Sequence, residues 1–581
     1  MTVERVRVVV IGAGPVGLAT ALILGRLGHD VLVVERRRSV SRLPKAMALS
    51  TRSMELFRQW GCDGDVRERG IPSSRSRTVE WVTALSGGRH IASVPQTSDP
   101  ADLVYSIGVS PQAWLNVPQF VVEEVLRRQV DRLPTVRVRS GLEAVVGEAD
   151  DTGAQVALYR AGGAGANPDG GHRHREHTVH TDFVVAADGA HAPTRTSLGI
   201  GAHGPGTVGR ALSVGFHTKT ADLVELSGSV FSWVANPHLM GMLSVIDPDH
   251  AVLNVVSSSF ARSDRPPTPA QALTMVRTAC GLPELDAAVD EARQWTVAVR
   301  VAEAYRQHCV FLVGDAAHEF PPTGGLGLNT GLADAHNLAW KLDAVIKGWA
   351  DRRLLDTYEQ ERRPLGLATA RIAQGHFDTM TSLFGGAARP EPEIAENTSA
   401  GRNLRRRLAD RLLSTRHNYS SESVSMGYRY RHGAVISDEG TPEPVWPGPT
   451  YVPQARPGCR APHLWLRQGR RLVSTLDLFD RAFTLLTGGD GGVWIDAARE
   501  IGERTGIPLY AYSLGGRGAL EDFYGRWSQL YGVEPDGAVL VRPDGHVAWV
   551  QRGRQGQGGL WPAGVELEAV LRRVTCRIAQ V

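Results

Sequence analysis

Lysine is scarce in this chain: of 64 basic residues only Lys45, Lys219, Lys341 and Lys347 are lysine. An arginine bias of that kind is the trace of a GC-rich genome, not of a binding surface. With 61 acidic residues the formal net charge is +3, a balance that demands neither a nucleic-acid nor a membrane partner. The runs Arg36–Arg38 and Arg405–Arg407 read as solvated faces. Cysteine is sparse and unpatterned: Cys62, Cys280, Cys309, Cys459 and Cys576 form no CxxC and no zinc spacing, as expected of buried thiols in a reducing compartment. No apolar run is long enough to span a bilayer. The chain enters an apolar strand within a few residues of Met1, which leaves no room for a signal peptide. A cytoplasmic protein is the expectation. The hydrophobic fraction of 42% and charged fraction of 22% are those of a globular protein. At 581 residues the chain exceeds a single core and calls for roughly three or four domains.

Two stretches carry chemistry. The first is Arg7-Val-Val-Val-Ile11, a short apolar strand, followed by Gly12-Ala-Gly-Pro-Val-Gly17, a helical pattern to Leu27, and a second strand Val31–Glu35. A GxGxxG at the first turn of a βαβ unit, with an acidic residue ending the second strand, is a dinucleotide fingerprint. Gly12 makes the tight turn, Gly14 admits a pyrophosphate and Gly17 lets helix and strand pack closely. Glu35 can accept both ribose hydroxyls of an adenosine and would repel a 2′-phosphate, which favours FAD or NAD over NADP at this position. The second stretch runs from Val313 to Gly331: a buried strand (Val310 to Val313) stops at Gly314-Asp315, Pro321-Pro322 turns the chain, and Gly324, Gly325 and Gly327 precede a helix expected from near Asn329. Such a corner lets backbone approach a ligand and offers helix-start N–H groups to something electron-rich.

Between these stretches the pattern changes. Residues 76–110 read as strands and turns with Trp81 and Tyr105 half-buried, Pro118-Gln119 opens a helix to Val130, and Val136 to Val146 is strand-like. The loop 161–177 carries His172, His174 and His177, with His180 beyond it; nothing fixes their geometry, so a hairpin tip and no metal site is the expectation. Phe183 to Asp188-Gly189 is a further strand ending in Asp-Gly. Alternating strands at 212–218, 230–236, 242–246 and 252–258, with another at 295–304, predict an antiparallel sheet. The last stretch reads β-α-β-α-β-β-α from Ala482 to Ile578, an order that suits a thioredoxin-like domain without the CxxC of a redox protein; a structural or interface module is expected.

Together, Gly12–Gly17 with Glu35, Asp188-Gly189 and Gly314–Gly331 resemble the class A single-component FAD monooxygenases of the para-hydroxybenzoate and phenol hydroxylase type. Ala333–Leu342, Tyr358-Glu-Gln-Glu-Arg-Arg-Pro364 and Arg456-Pro-Gly-Cys-Arg-Ala-Pro-His463 extend the resemblance over nearly the whole chain. It implies an α/β fold: a Rossmann-like FAD-binding domain of the GR2 type (1–75, 111–205 and 296–400), an inserted antiparallel-sheet substrate domain (76–110 and 206–295), a connecting segment (401–445) and a thioredoxin-like C-terminal domain (446–581). That last domain is typical of members that hydroxylate phenols or tailor polyketides. The family's Asp-Gly motif usually continues Arg-Ser; here His191 and Ala192 stand there, in a region used near the pyrophosphate and nicotinamide. Lys45 replaces a common arginine, keeping the charge but not the bidentate fork.

The resemblance implies non-covalent FAD, NADPH or NADH as transient reductant, O2, and a flavin C4a-hydroperoxide that passes its distal oxygen to a phenolic or polyketide-derived aromatic. A Baeyer–Villiger oxygenase on the same scaffold is the alternative, and a non-catalytic FAD-binding protein a remoter one; no WxWxIP-like segment points to a halogenase. By motif position Gly12, Gly14, Pro15, Val16 and Gly17 line the pyrophosphate, with Glu35 and Arg36 at the adenosine end and Asp188 nearby. Lys45, Gln119, Gly314 and Asp315 flank the phosphate–ribityl chain. Pro322, Gly325, Leu326, Gly327, Leu328 and Asn329 face the flavin. Phe231, Trp233 and Met242 are expected to line the substrate pocket. No catalytic base is assigned; His217, Tyr305 and His318 are the candidates. A small-molecule substrate is the expected partner, and a homodimer is left open.

Overall fold

The computed structural model describes residues 4–43, 45–72, 75–96, 108–161, 175–257, 265–383, 390–414, 422–438, 445–448, 450–515, 520–553 and 562–577. The expected hairpin tip with His172 and His174, and Tyr105, lie outside the described residues.

The N-terminal half builds on a sheet ordered Arg306–Gln307, Val310–Leu312, Arg175–Ala186, Glu4–Ile11, Val31–Glu35, Val136–Ser140. The last five strands are mutually parallel. Their valine-rich runs suit strands covered on both faces, and Val8, Val9 and Val10 are wholly buried. Helix Pro15–Arg26 packs against helices Gln119–Asp131 and Leu326–Ile346. The expected strand 136–146 is two strands, Val136–Ser140 and Leu142–Ala149. Gly141, at φ 79°, turns the chain between them. The second strand joins Ala154–Arg160 in a meander that attaches to Arg175–Ala186.

A second sheet has eight strands, in the order His318–Glu319, Ala288–Ala302, Ala202–His217, His250–Ser257, Met240–Val245, Phe231–Ala235, Thr78–Val82, His90–Pro95. It departs from the expected antiparallel pattern at one pair: Phe231–Ala235 runs parallel to Thr78–Val82. These strands come from distant parts of the chain, so no hairpin dictates their direction. Strands Ala202–His217 and Ala288–Ala302 are longer than the sequence pattern predicts and run across positions 205/206 and 295/296. Bulges between them interrupt the alternation that sequence reading relies on. Trp81 is fully buried, not half-buried; it stacks on Trp233 with centroids 5.0 Å apart and planes at 10°.

Helix Ser399–Ser414 lies against strand His90–Pro95. It corrects one expectation: Arg405 is not a solvated residue. It is buried and donates to the carbonyls of Ile394 (2.7 Å) and Glu396 (3.0 Å).

The C-terminal unit has a four-stranded sheet ordered Leu509–Ser513, Phe483–Thr487, Ala538–Val541, Val547–Gln551. The first pair is parallel and the others antiparallel, the thioredoxin-like arrangement. The helix expected near 520–531 shrinks to Trp527–Tyr531. Gly525, at φ 65°, breaks it upstream, and Glu521–Asp522 pairs instead with Trp465–Gln468. Trp340, Trp349 and Leu354 of the N-terminal half share one apolar cluster with Phe483, Trp494, Leu540 and Trp549. The two halves are thereby joined by core packing.

Candidate active site

Ile11, Ala186 and Leu312 stand in one register row across three adjacent parallel strands. Gly12, Asp188 and Gly314 therefore leave the sheet at the same edge, a few residues beyond that row. The chain proceeds from Glu4–Ile11 to a strand on one side and later returns on the other. That makes the central strand a topological switch point, where open α/β sheets form their ligand crevice.

The three glycines of the first motif have different surroundings. Gly12 has φ 104°, and a Cβ there would lie 2.3 Å from the Ala187 carbonyl oxygen. A Cβ on Gly17 would lie 2.0 Å from the Gly12 oxygen. Gly14 is the opposite case: its Cβ would meet nothing within 4 Å. Its lack of a side chain serves no internal packing, and it opens the N-terminus of helix Pro15–Arg26, led by Pro15, to a ligand. Val16 joins the two glycine motifs: a Cβ on Gly314 would come 3.1 Å, and one on Gly331 2.6 Å, from its side chain.

Glu35 is locked by backbone donors, with Oε2 accepting from Ala13 N–H and Oε1 from Arg37 N–H, both 2.8 Å. Arg36 beside it is exposed, and its charge reaches Asp188. Oδ2 of Asp188 accepts from Thr194 N–H at 2.8 Å, while Oδ1 is buried with no donor. Burial pushes this carboxyl's pKa up. A buried acceptor without a donor is costly, so the site fits a ligand that brings hydroxyls. The position after His191 is also unusual: Ala192 has φ 41° and caps the helix Pro193–Ser197.

Asp315 opens to solvent on one side. Protein around its other sides pushes its pKa up, opposed by His318 and Lys45. Lys45 is likewise exposed yet flanked by protein. That enclosure and Arg37 pull its pKa down, while Asp315 and Glu123 support the charge. Gln119 begins its helix as expected, donating backbone N–H to Ala46 (2.9 Å) and side-chain amide to Glu123 (2.7 Å). Glu123, one turn on from Gln119, was not singled out by sequence; burial raises its pKa, with Lys45 opposing.

The glycine corner starts its helix at Leu326, three residues before the expected position. Gly325 is left-handed, φ 63°, and serves as the N-cap. Leu326 is buried, Gly327 and Leu328 half-buried and Pro322 exposed. A Cβ on Gly327 would lie 4.0 Å from Asp315 Oδ1. The Asn329 side chain is a fastener: Oδ1 accepts from Ser50 N–H (2.8 Å) and Ser53 Oγ–H (2.6 Å), and Nδ2 donates to the carbonyls of Gly325 (2.6 Å) and Ala48 (3.2 Å).

Of the three candidate bases Tyr305 and His318 are ring neighbours, with centroids 6.3 Å apart, and His217 is not among their contacts. His318 is buried, with Nε2 2.8 Å from Asp334 Oδ2 and its ring stacked on Phe320. Asp334 also accepts from Gly314 N–H (3.1 Å) and Arg362 Nε–H (2.7 Å). The Tyr305 hydroxyl is fully buried and burial pushes its pKa well up. His217 stands at an exposed sheet end, 3.0 Å from Asp290.

On the second sheet Trp233 and Met242 are directly opposed. Phe231 shares their face two residues earlier and is buried. By register, this face continues through Asn254, Ser213, Arg293 and Trp295. Ser213 Oγ donates to Asn254 Oδ1 (2.6 Å) and accepts from Trp295 Nε1–H (3.0 Å). The face looks toward the segment that carries Lys45, since a Cβ on Gly215 would lie 3.3 Å from Leu43 Cδ1. The strand pattern was readable in sequence, but the polar row was not, because it needs three strands in register.

Residues 5–373 match the model of an FAD binding domain, and residues 454–577 that of the aromatic-ring hydroxylase C-terminal domain. The chain is 34% identical over 571 residues to tetracenomycin A2 monooxygenase-dioxygenase of Streptomyces glaucescens, covering 94% of both. It is 34% identical to aklavinone 12-hydroxylase RdmE of Streptomyces purpurascens, covering 99% of this chain and 100% of that protein. Against 2,4-dichlorophenol 6-monooxygenase of Delftia acidovorans the identity is 30%, covering 99% and 98%. The flavin-dependent monooxygenase PieE, solved with FAD and substrate, superposes with a TM-score of 0.86 at 32% identity over 99% of each chain. Aklavinone-11 hydroxylase, solved with FAD and aklavinone, does so at 0.81 and 31%, over 99% of this chain and 100% of that one. With its switch-point crevice, its two glycine motifs and its C-terminal unit all matched, the chain belongs to the FAD-dependent aromatic-ring monooxygenases.

Proposed function

We propose that this enzyme hydroxylates a phenolic ring of a polycyclic, polyketide-derived aromatic, with NAD(P)H as reductant. The observation that carries the substrate class is the sheet face that turns toward the Lys45 segment. It presents Trp233, backed by the buried Trp81 stacked on it, and Met242 beside the hydrogen-bonded row Ser213–Asn254–Trp295. Flat apolar surface beside a fixed polar row suits a fused ring system bearing hydroxyl or carbonyl groups. Relatives of similar length named for tetracenomycin and aklavinone chemistry support the same class.

FAD, when bound, accepts hydride from NAD(P)H and activates O2. Gly12, Gly14 and Gly17 admit the pyrophosphate to the helix N-terminus, and the locked Glu35 carboxylate receives the adenosine ribose. Asp188 Oδ1 accepts from a ligand hydroxyl. Asp315, with Lys45 and Gln119, holds the phosphate–ribityl chain. Backbone from Gly324 to Asn329 meets the ring edge, where helix-start N–H groups favour negative charge. The substrate lies between this corner and Trp233, Met242 and Phe231. The functional units take 1–75, 111–205 and 296–400 for FAD, 76–110 and 206–295 for substrate, 401–445 as connector and 446–581 at the C-terminus, with the substrate sheet reaching across 205/206 and 295/296 through strands Ala202–His217 and Ala288–Ala302. Five cysteines outside any disulfide, four of them buried, support a reducing, cytoplasmic setting.

The test uses the FAD-loaded protein with polycyclic phenols and with simple chlorophenols, following NADPH and NADH consumption and product mass under 18O2. Polycyclic phenols are expected to stimulate consumption and to gain one labelled oxygen at a ring C–H. Stimulation by simple phenols alone would overturn the substrate class. Label inserted into a C–C bond would replace hydroxylation by Baeyer–Villiger oxidation.

A further inference from the structure

The sheet that carries the substrate face ends in a group of side chains that the reaction does not use. His217 and His250 are directly opposed on strands Ala202–His217 and His250–Ser257, with ring centroids 3.9 Å apart. On the other side of His217 runs strand Ala288–Ala302, where the register shifts between Gly215 and Phe216. Gly215 pairs with Glu291 and Phe216 with Val289, so Asp290 is the extra residue of a bulge. Bulges re-aim side chains, and this one brings Asp290 to 3.0 Å from His217 Nε2. One ligand atom from each of His217, His250 and Asp290 lies within 4.8 Å of the others.

We propose that His217, His250 and Asp290 form a binding site for a divalent transition-metal ion of the Zn2+ class. Three strands supply one ligand each. Two imidazoles and one carboxylate are the donor set that zinc, nickel and copper prefer over the oxygen-seeking Mg2+ and Ca2+. Bond lengths of about 2.0–2.2 Å place neighbouring ligand atoms roughly 3–3.5 Å apart, so the observed spacing needs only small side-chain movement. The partial exposure of all three side chains leaves room for water to complete the shell.

An outer residue prepares the site. Asp247 Oδ1 lies 2.8 Å from His250 Nδ1 and also accepts the backbone N–H groups of Asp249 and His250, each at 2.9 Å. A carboxylate accepts and does not donate, so Nδ1 carries the proton and the lone pair of His250 sits on Nε2, free for a metal. Such carboxylate–histidine pairs set the tautomer and raise the basicity of metal-bound imidazole. Binding through His217 Nε2 leaves the ring proton on Nδ1, and a proton held on Nε2 beside Asp290 is released as the metal binds. By register the site shares a face with Ser213 and Asn254, four residues away along each strand, roughly 13 Å. It would pin together the ends of the strands that carry the polar row.

The test is equilibrium dialysis of the untagged, FAD-loaded full chain against buffered Zn2+, with bound metal counted by mass spectrometry. One Zn2+ per chain is expected for the wild type, and loss of it in the His217→Gln/His250→Gln double variant. Asp247→Asn should keep the stoichiometry and weaken binding about 10–100-fold. No binding by the wild type, or equal binding by the double variant, would overturn the assignment. Should the double variant fail to hold FAD, diethyl pyrocarbonate labelling of the wild type decides. Zn2+ should protect His217 and His250, and absence of protection counts against the site.

Discussion

Gly14→Ala separates ligand approach from internal packing, two roles that glycine motifs usually mix. Gly14 has φ −70° and ψ 177° as N-cap of its helix, a conformation that alanine adopts without strain. Its Cβ would meet no protein atom within 4 Å. Replacing glycine at a compatible position stabilises by about 0.4–1 kcal/mol through the unfolded chain. Alanine is a poorer N-cap than glycine by a few tenths to about 1 kcal/mol. The two effects oppose, so apoprotein stability should change by no more than about 0.5 kcal/mol. On the proposed reading the methyl instead stands in the open space through which the pyrophosphate approaches the helix N-terminus. A loss of at least tenfold in FAD affinity, about 1.4 kcal/mol or more, is expected.

Gly17→Ala is the contrasting variant. Its Cβ would sit 2.0 Å from the Gly12 oxygen, and helix and strand would have to separate. Overpacking of this kind costs about 1–3 kcal/mol or more, so apoprotein stability and FAD affinity should fall together. The assay is FAD titration of apoprotein by flavin fluorescence, beside the thermal midpoint of each apoprotein. Gly14→Ala protein that binds FAD within about twofold of wild type would refute the reading of the open side of Gly14 as the pyrophosphate approach.

Asp315→Ala should yield nearly colourless protein that folds normally, because the side chain is exposed; normal FAD content would remove Asp315 from the proposed ribityl contact. Arg542→Met should destabilise by about 3–5 kcal/mol, since it strips Glu361 of two buried bonds (2.8 and 2.9 Å) and Asp544 of its guanidinium partner; an unchanged unfolding midpoint would contradict this. Burial holds His546 down to about 4, and His336 and His463 down to about 3. Between those values and about 6.5 the unfolded chain binds more protons than the folded one, so stability present at neutral pH is lost as pH falls through that window. Each group contributes about 1.4 kcal/mol per pH unit. Denaturant midpoints that stay level from pH 7 to about 5 would show that these rings are not buried neutral.

The crevice was legible in sequence because its signals are local. A glycine at a strand end, a proline at a helix start and a carboxylate closing the next strand all reflect backbone geometry within a few residues. Asp188-Gly189 and Gly314-Asp315 gave the same strand-end signature. What escaped depends on partners far along the chain. Asn329 offered a helix-start backbone in sequence, but its side chain joins residues 48–53. His318 resembles a catalytic base until Asp334 is found sixteen residues on, held by Arg362. Arg405 looked solvated because the carbonyls that surround it belong to a preceding turn. The polar row of the second sheet was the hardest to read: alternation reveals that a strand has two faces, but not which face looks toward the Lys45 segment.

The C-terminal unit also owes its meaning to distant partners. Arg542 and Asp544 reach Glu361 and Asn337 of the N-terminal half, and Glu361 also accepts from Lys341, while Arg460 holds Glu55, and Arg52 donates to the Asp544 carbonyl at 2.9 Å. These side chains are buried, and buried ion pairs are poor net stabilisers because both charges must be desolvated. The apolar cluster of Trp340, Trp349, Phe483 and Trp549 already supplies the burial that joins the halves. What the charges add is geometry, because each has few acceptable partners and positions. The helices they grip are Thr51–Gln59, through Arg52 and Glu55, and Leu326–Ile346, through Asn337 directly and through Lys341 by way of Glu361. Those are the same two helices that Asn329 fastens at the glycine corner, by way of Ser50 and Ser53. A thioredoxin-like unit without CxxC thus has a physical role: it grips the same two helices that Asn329 fastens together at the glycine corner.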